Sequence, residues 1–391
     1  MGKWLWSIGA VSVVLLGLSL VSARPAGAQT GTPTAPSPTQ DPDKVKRGKY
    51  LTDIIGCSDC HTPVDPNTLQ PIESKRWSGG QAFALDPAGA QVVYSKNLTA
   101  DPDTGIGSWS DEQIKLAITQ GIDKDGKRLY PVMPYQTFNN MSDNDLDAIV
   151  AYLRTIPAIK NQVTPDHLLP DTQYPPVQPH KPDNVAPDPK NTAARGVYLM
   201  TALLTCGDCH TPIDPQTGAP DTTKYLAGGQ PFEGPWGVVY GGNITPDQKT
   251  GIASWNDDDI RKLIQAGVRQ DGRVAIVMPR VYANLTDDDL TAMIHYLRNN
   301  VKPVENEVPK ADLKPNYVMT APTDTAGQSP AHAGSQAATQ ALVAAPTTGP
   351  TSAAGSGGSG GSTTLVIVAV IAVLAVGGGL VLMTRNKPGG G

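Results

Sequence analysis

Four cysteines constrain this chain more than any other residues, because all of them fall in two copies of one short motif, Cys-x-x-Cys-His. The motif residues are Cys57, Cys60 and His61 in the first copy and Cys206, Cys209 and His210 in the second. No cysteine is left over to pair elsewhere, so a disulfide scaffold is not expected. The thiols are reserved for chemistry that needs two sulfurs beside an imidazole.

The spacing is that of covalent haem attachment. Two thiols within one helical turn can each form a thioether with a vinyl group of haem c, and the adjacent histidine then binds the iron. A thioredoxin-like redox pair would need a βαβ context, which the surrounding sequence lacks. A zinc site would need about four ligands, more than one motif supplies. The sequence therefore predicts two haem c groups, with His61 and His210 as iron ligands.

The sequence around the motifs is repeated. Residues 47–51 recur as 195–199, and the run from Asn97 to Trp109 recurs as Asn243 to Trp255. The spacing between matched residues drifts only slightly along the chain, which places small insertions in loops. We expect two homologous domains at residues 43–163 and 190–308, joined by a proline-rich, extended linker at 164–189.

The repeat also selects the second axial ligand of each iron. Met133 and Met278 are the methionines that occupy matched positions, and each is followed by proline. Met141 and Met293 have no methionine partner in the other domain, so we interpret them as core residues. A lone methionine in such a loop is usually packing, but a matched pair favours ligation. Methionine sulfur raises the haem potential and closes the iron to substrates.

Helix start signals recur in the same way. Ser110 and Asn256 each precede a capping-box pattern, and Ser142 and Thr286 begin the last helix of each domain. A further helix is predicted before each cysteine motif. Because no segment alternates clearly between apolar and polar residues, the sequence predicts a mainly α fold.

The ends of the chain indicate export and membrane attachment. Residues 1–28 have the pattern of a cleaved signal peptide, with an uncleaved anchor as the alternative. Residues 365–383 form an uncharged apolar run long enough for a transmembrane helix, and Arg385 and Lys387 follow it. Residues 320–362 read as a disordered tether. The expected topology is single-pass in the cell membrane, with the haem domains on the extracytoplasmic side and the C-terminus in the cytoplasm.

Charge and composition narrow the range of functions. The chain carries 31 Lys and Arg against 36 Asp and Glu, a net charge of −5, which argues against nucleic-acid binding. With 3 Phe and 36 Pro among 391 residues, it has few large side chains to fill a core. A bound prosthetic group would supply the missing apolar volume.

These motifs resemble those of class I cytochrome c domains, over about residues 43–163 and 190–308. The runs at 97–109 and 243–255 further resemble cytochrome c subunits of membrane-bound alcohol and gluconate dehydrogenases. That resemblance implies three haem domains per subunit and electron transfer from a dehydrogenase to quinone. This chain departs from the pattern, since it has two haem motifs. We expect two tandem class I cytochrome c domains followed by a transmembrane helix.

The leading hypothesis is a membrane-anchored dihaem electron carrier rather than an enzyme. It would accept electrons from a dehydrogenase or quinol-oxidising complex and pass them to a terminal oxidase or a similar acceptor. An electron-transfer subunit of a membrane-bound dehydrogenase is the alternative. A dihaem peroxidase is a third candidate, but it needs one iron open to peroxide, and Met133 and Met278 argue against that.

Overall fold

A computed structural model describes the middle of the chain. The described residues are 41–314, except 67, 69, 86–88, 170, 171, 173, 175, 177, 182–185, 217 and 235. The predicted signal peptide (1–28), tether (320–362) and transmembrane segment (365–383) lie outside this range, and so does the topology that depends on them.

The first module, residues 42–169, is built from short helices and one hairpin. Its helices are α1 (Pro42–Ile55), α2 (Cys57–Cys60), α3 (Asp111–Gln120), α4 (Tyr135–Phe138) and α5 (Asp143–Leu153). A 3₁₀ turn at Glu73–Lys75 leads to the antiparallel strands β1 (Ala82–Ala84) and β2 (Val92–Tyr94). Phe83 lies opposite Val93 in this hairpin.

The second module, residues 192–314, follows the same element order. Its helices are α6 (Thr192–Tyr198), α7 (Cys206–His210), α8 (Asp257–Ala266) and α9 (Asp287–Asn299). A π-helical turn at Leu199–Leu203 extends α6, and 3₁₀ turns occupy Thr222–Lys224 and Arg280–Asn284. Strands β3 (Pro231–Gly234) and β4 (Gly237–Tyr240) form the hairpin, and β5 (Asp312–Leu313) pairs with β4.

The chain that leaves each module returns to that module's hairpin. His167 and Val92 exchange backbone hydrogen bonds of 2.8 Å in both directions. At the equivalent place in the second module, β5 sets Asp312 opposite Val238. The first residues of the proline-rich linker are therefore extended along the first module.

The helix starts follow the sequence signals. Ser110 and Asn256 each form a full capping box at the start of α3 and α8. The side chains of Ser142 and Thr286 accept hydrogen bonds from the third residue of α5 and α9. These four predicted N-caps are confirmed, and they satisfy backbone N–H groups that have no partner within the helix.

The first and last helices of each module cross at a glycine. Where α1 crosses α5, a Cβ on Gly48 would lie 1.8 Å from the carbonyl oxygen of Ala148. Where α6 crosses α9, a Cβ on Gly196 would lie 2.2 Å from the carbonyl oxygen of Ala292. Glycine costs helix stability, but here it allows the two backbones to touch. The crossing fixes the position of α1, whose end leads directly into the cysteine motif.

One apolar core runs through both modules. It includes Leu51 and Leu146 of the first module and Leu199 and Leu290 of the second, each no more than 1% exposed. Between the modules, α1 packs on the 3₁₀ turn Arg280–Asn284, and α4 packs on the π-helical turn that extends α6. The two modules are thus in direct contact.

The predicted fold class needs two corrections. The expectation of a mainly α fold without strands was wrong, because five short strands form two small sheets within the described residues. Each strand has two to four residues, too few for a periodic pattern to be visible in the sequence. Furthermore, no helix in the described range is long and apolar enough to cross a membrane. The transmembrane helix predicted at 365–383 falls outside the described residues and has no counterpart among these helices.

The glycine crossing can be tested by Gly48→Ala. Alanine favours helix formation by about 1 kcal/mol over glycine, but its methyl would collide with the carbonyl of Ala148. We expect a net loss of about 3 kcal/mol in the free energy of unfolding, measured by urea denaturation. Lys46→Ala, on the exposed face of the same helix, is the control and should change it by less than about 0.5 kcal/mol. A stable Gly48→Ala protein would contradict the close crossing.

Candidate functional site

Each cysteine pair lies on its own short helix. In the first module, Gly56 adopts a left-handed conformation (φ 80°) that ends α1 and starts α2. The turn of α2 carries Cys57 and Cys60, and both are free thiols. In the second module, α7 carries the equivalent thiols. The local backbone therefore presents two sulfurs from a single helical turn, as two adjacent thioether bonds require.

The two histidines are held in the same way. Nδ1 of His61 donates to the carbonyl oxygen of Lys96 over 2.7 Å. Nδ1 of His210 donates to the carbonyl oxygen of Gly242, also over 2.7 Å. Burial lowers the pKa of both imidazoles, so both are neutral at pH 7. With the proton on Nδ1, the lone pair is on Nε2, which is the nitrogen that can bind a metal.

Backbone hydrogen bonds tie each histidine to the loop before the hairpin. The N–H of Gly79 donates to the carbonyl oxygen of His61 over 2.8 Å, and the N–H of Gly228 donates to that of His210 over 2.6 Å. In both loops, the residue two positions before this glycine has a positive φ, 70° at Trp77 and 64° at Leu226. Each histidine is thus bonded through its carbonyl to the loop before the hairpin and through its ring to the loop after it.

The thiols lie in surroundings that disfavour charge. Burial is the main cause that raises the pKa of Cys57 to about 12, and the nearby Cys60 and Asp59 raise it further. Burial also raises the pKa of Asp208, between the two cysteines of the second motif, to about 6. Neutral thiols and a neutral imidazole suit an apolar macrocycle such as haem. The donor set of each module therefore fits the predicted cofactor.

Met133 and Met278 are placed alike in the two modules. Both are partly buried and pack against the shared core, as do Cys57 and Cys206. Met141, in contrast, is 1% exposed, and Met293 is buried to the same degree. That burial agrees with a core role for the unmatched methionines, while ligation by the matched pair stays a prediction.

The loops that carry the histidine acceptors are held by the side chains of a matched pair of asparagines, Asn97 and Asn243. Asn97 follows Lys96 directly, and its side-chain oxygen accepts from the backbone and hydroxyl of Thr99 over 2.9 and 2.8 Å. Its amide nitrogen donates to Thr104 and to the carbonyl oxygen of Ile159. Asn243 makes the equivalent four bonds after Gly242. Recurrence in both halves was the available signal, but it did not distinguish loop capping from cofactor contact.

A glutamine braces the second motif. With its amide nitrogen turned inward, Gln230 donates to the carbonyl oxygens of Asp208 (2.8 Å) and Thr211 (3.2 Å). These two carbonyls lie on either side of Cys209 and His210. Gln230 is 5% exposed, so the bonds are shielded from water. It was missed because the sequence gives no sign that its side chain reaches back to the motif.

The alternative of a zinc site has no ligand cluster in the part of the chain that the structure describes. No group of three or more His, Cys, Asp and Glu side chains there is close enough to share a metal ion. Each motif instead presents one histidine beside two thiols on a helical turn.

Comparison with known proteins agrees with this geometry. A family model described as cytochrome c matches residues 45–157. The fructose dehydrogenase cytochrome subunit of Gluconobacter japonicus is 32% identical over 291 residues, which cover 68% of this chain and 55% of that protein. Residues 45–157 belong to the cytochrome c family. Family membership brings haem c as the cofactor, as the motifs predicted.

Two further relatives differ in how much of their length this cytochrome spans. The cytochrome c subunit of a quinone-dependent alcohol dehydrogenase from Gluconobacter oxydans is 32% identical, over 66% of this chain and 56% of that protein. A dihaem c-type cytochrome from Cereibacter sphaeroides is 29% identical, over 65% of this chain and 85% of that protein. The chain thus spans little more than half the length of the dehydrogenase subunits but most of the dihaem cytochrome.

The histidine acceptor can be tested through Gly79. A Cβ at Gly79 would lie 2.5 Å from the carbonyl carbon of Lys96 and 2.6 Å from its oxygen, the atom that His61 uses. Gly126 has a similar φ of 77° with open space around it, and it is the matched control. Gly126→Ala should lose about 1 kcal/mol of unfolding free energy through backbone strain alone. Gly79→Ala should lose roughly 2–5 kcal/mol, because the Lys96 carbonyl must also move.

Urea denaturation of the two variants gives the comparison. The same experiment in the second module uses Gly228→Ala against Gly272→Ala, since a Cβ at Gly228 would lie 2.5 Å from the carbonyl carbon of Gly242. Equal losses within each pair would mean that the acceptor carbonyls are not confined as described.

Proposed function

We propose that the chain is a dihaem electron carrier that holds one haem c on each module. The observation that carries the proposal is the equivalent treatment of His61 and His210, each following a pair of thiols on one helical turn and each oriented by a backbone carbonyl. When bound, haem supplies a one-electron iron couple. The protein's part is to hold the group, orient its histidine and exclude water.

The proposed ligand residues are assigned by module. In the first module, Cys57 and Cys60 hold the haem covalently, and His61 and Met133 bind its iron. In the second module, the equivalent residues are Cys206, Cys209, His210 and Met278. Two axial protein ligands favour electron transfer over catalysis, because they leave no position for a substrate. The peroxidase alternative is disfavoured for the same reason.

An electron carrier acts as a separate protein, whereas a complex subunit stays bound to its dehydrogenase. The names of the relatives favour a dehydrogenase as the electron donor, since several are cytochrome subunits of dehydrogenases. The dihaem cytochrome, of which this chain spans 85%, favours an electron carrier with two haem modules. We therefore propose that it receives electrons from a dehydrogenase as a separate protein and passes them to an oxidase or a similar acceptor. Stable co-purification with a dehydrogenase would instead favour the subunit alternative.

The proposed place of action is outside the cytoplasm. The segment 1–28 has the pattern of an export signal. Free thiols in tightly spaced pairs are also consumed by haem attachment, which removes their tendency to form disulfides in an oxidising compartment.

The number of haems can be measured directly. Intact mass spectrometry of the exported protein should show two covalent haem additions that survive acid extraction. Replacing Cys57 and Cys60 by Ala should remove one addition, and replacing Cys206 and Cys209 by Ala should remove the other. A wild-type mass without haem, or with zinc in its place, would refute the proposal.

The axial methionines are tested by Met133→Ala and Met278→Ala. Each variant should lose the near-infrared sulfur-to-iron band of one haem, and that haem should fall in potential and bind carbon monoxide. The other haem should be unchanged, which makes each variant the control for the other. Met141→Ala should destabilise the core by about 2–5 kcal/mol without removing a band. If wild type already binds carbon monoxide at one haem, that iron is open and the peroxidase alternative gains support.

A further inference from the structure

The face between the modules contains a closed ring of six side chains that the haem chemistry does not use. Its members are two tyrosines, two aspartates and two arginines, one of each from either module. They are Tyr50, Asp145 and Arg47 of the first module and Tyr198, Asp289 and Arg195 of the second. We call these six residues the interface ring.

Each tyrosine in the ring bonds to the aspartate of the other module. The hydroxyl of Tyr50 donates to Oδ2 of Asp289 over 2.5 Å. The hydroxyl of Tyr198 donates to Oδ2 of Asp145 over 2.9 Å. The same hydroxyls accept from the helix N-caps beside those aspartates: the N–H of Thr286 donates to Tyr50 over 3.4 Å, and the N–H of Ser142 to Tyr198 over 3.0 Å.

Each aspartate is held within its own module by an arginine. Arg195 grips Asp289 with two hydrogen bonds of 2.7 and 2.8 Å, and both side chains are no more than 2% exposed. Arg47 donates two hydrogen bonds of 2.9 Å to Asp145, and the Arg47 side chain is 30% exposed. Bidentate contacts of this kind fix the direction of the carboxylate as well as its charge.

The arginines close the ring by lying over the tyrosines. The guanidinium carbon of Arg47 is 5.5 Å from the ring centroid of Tyr50, and that of Arg195 is 5.5 Å from the centroid of Tyr198. The two positive and two negative charges cancel within the ring. The tyrosine of each module bonds to the aspartate of the other module. The same pair of residue types therefore meets twice across the contact, as in a symmetric dimer.

The ring is connected to the first haem motif through α1. Tyr50 is on α1, the helix that ends at Gly56 immediately before Cys57. A Cβ at Gly56 would lie 3.4 Å from both methyl groups of Val281, which is three residues after Met278. The proposed ligand loop of the second module therefore packs against the attachment motif of the first.

We propose that Tyr50 and Tyr198 are positioning residues that lock the two modules in one relative orientation, and that this lock sets the rate of electron exchange between the two irons. The exchange step rests on the proposed function, whereas the lock does not. In each exchange one electron leaves a ferrous iron, which becomes ferric, and reduces the other iron from ferric to ferrous. No bond is made and no proton is transferred.

The test compares the wild type with Tyr50→Phe, Tyr198→Phe and the double variant. Phenylalanine keeps the packing and removes only the hydroxyl. Each loss of a hydrogen bond to a carboxylate should raise the population of separated modules by roughly tenfold to a hundredfold. Tyr240→Phe, at the end of β4 and outside the ring, is the matched control and should behave as wild type.

Two readouts are made on the full haem-loaded chain. Small-angle X-ray scattering should show a larger radius of gyration in the double variant, with the control unchanged. Flash photolysis should show intramolecular electron exchange slowed by roughly tenfold or more in the double variant. The potentials of both haems and both sulfur-to-iron bands should match wild type, which separates a change of orientation from damage to a site.

Each possible outcome supports or overturns the proposal. Wild-type scattering and exchange rate in the double variant would overturn it. If the double variant does not fold, the two single variants carry the test, and each should show a smaller change in the same direction. If haem is absent from one module, the proposed function fails, but scattering of the variants still decides whether the tyrosines lock the modules.

Discussion

The hydrogen bond from Nδ1 of each haem-motif histidine to a backbone carbonyl is the interaction on which the rest of each module depends. It requires the loop that follows the hairpin to return to the cysteine motif, and this loop holds its shape through the side chain of Asn97 or Asn243. The motif itself must start where α1 ends, so the glycine crossing of α1 and α5 determines its position. Helices, hairpin and loop are in this sense arranged around one imidazole.

A second constraint is the relative orientation of the two modules, and the buried Arg195–Asp289 pair contributes to it. Removing two charges from water costs several kcal/mol each, so such a pair is weak evidence for stability. Its contribution is specificity: burial alone would raise the pKa of Asp289, but hydrogen bonds from Arg195 and Tyr50 lower it, so the carboxylate stays charged. This stabilisation diminishes once the pH falls below the ordinary aspartate pKa, and it is lost as the pH falls through the lowered pKa of Asp289. The hydroxyl of Tyr50 can reach this fixed carboxylate in only a few orientations of the first module.

The sequence predicted the parts of this molecule that depend on local chemistry. The motif histidines and the N-caps at Ser110, Asn256, Ser142 and Thr286 follow from residue type and spacing, and the N-caps are confirmed. The strands were missed because each has only two to four residues, and their conformation depends on pairing with another strand and not on a local sequence pattern. The tyrosine and the aspartate of the interface ring occur at matched positions in both repeats. That pattern would be the same whether each tyrosine bonded to the aspartate of its own module or to that of the other module. Partner exchange is a property of the tertiary structure.

The exchange of tyrosine partners has a consequence for how the pair responds to dilution. A face that carries both the donor and its acceptor is complementary to a copy of itself, so separate copies of such a module would associate only as their concentration allowed. Here the proline-rich linker joins the two copies and raises their effective concentration to the millimolar range expected for short tethers. The association is intramolecular and independent of protein concentration. The two modules would therefore stay together however dilute the protein becomes.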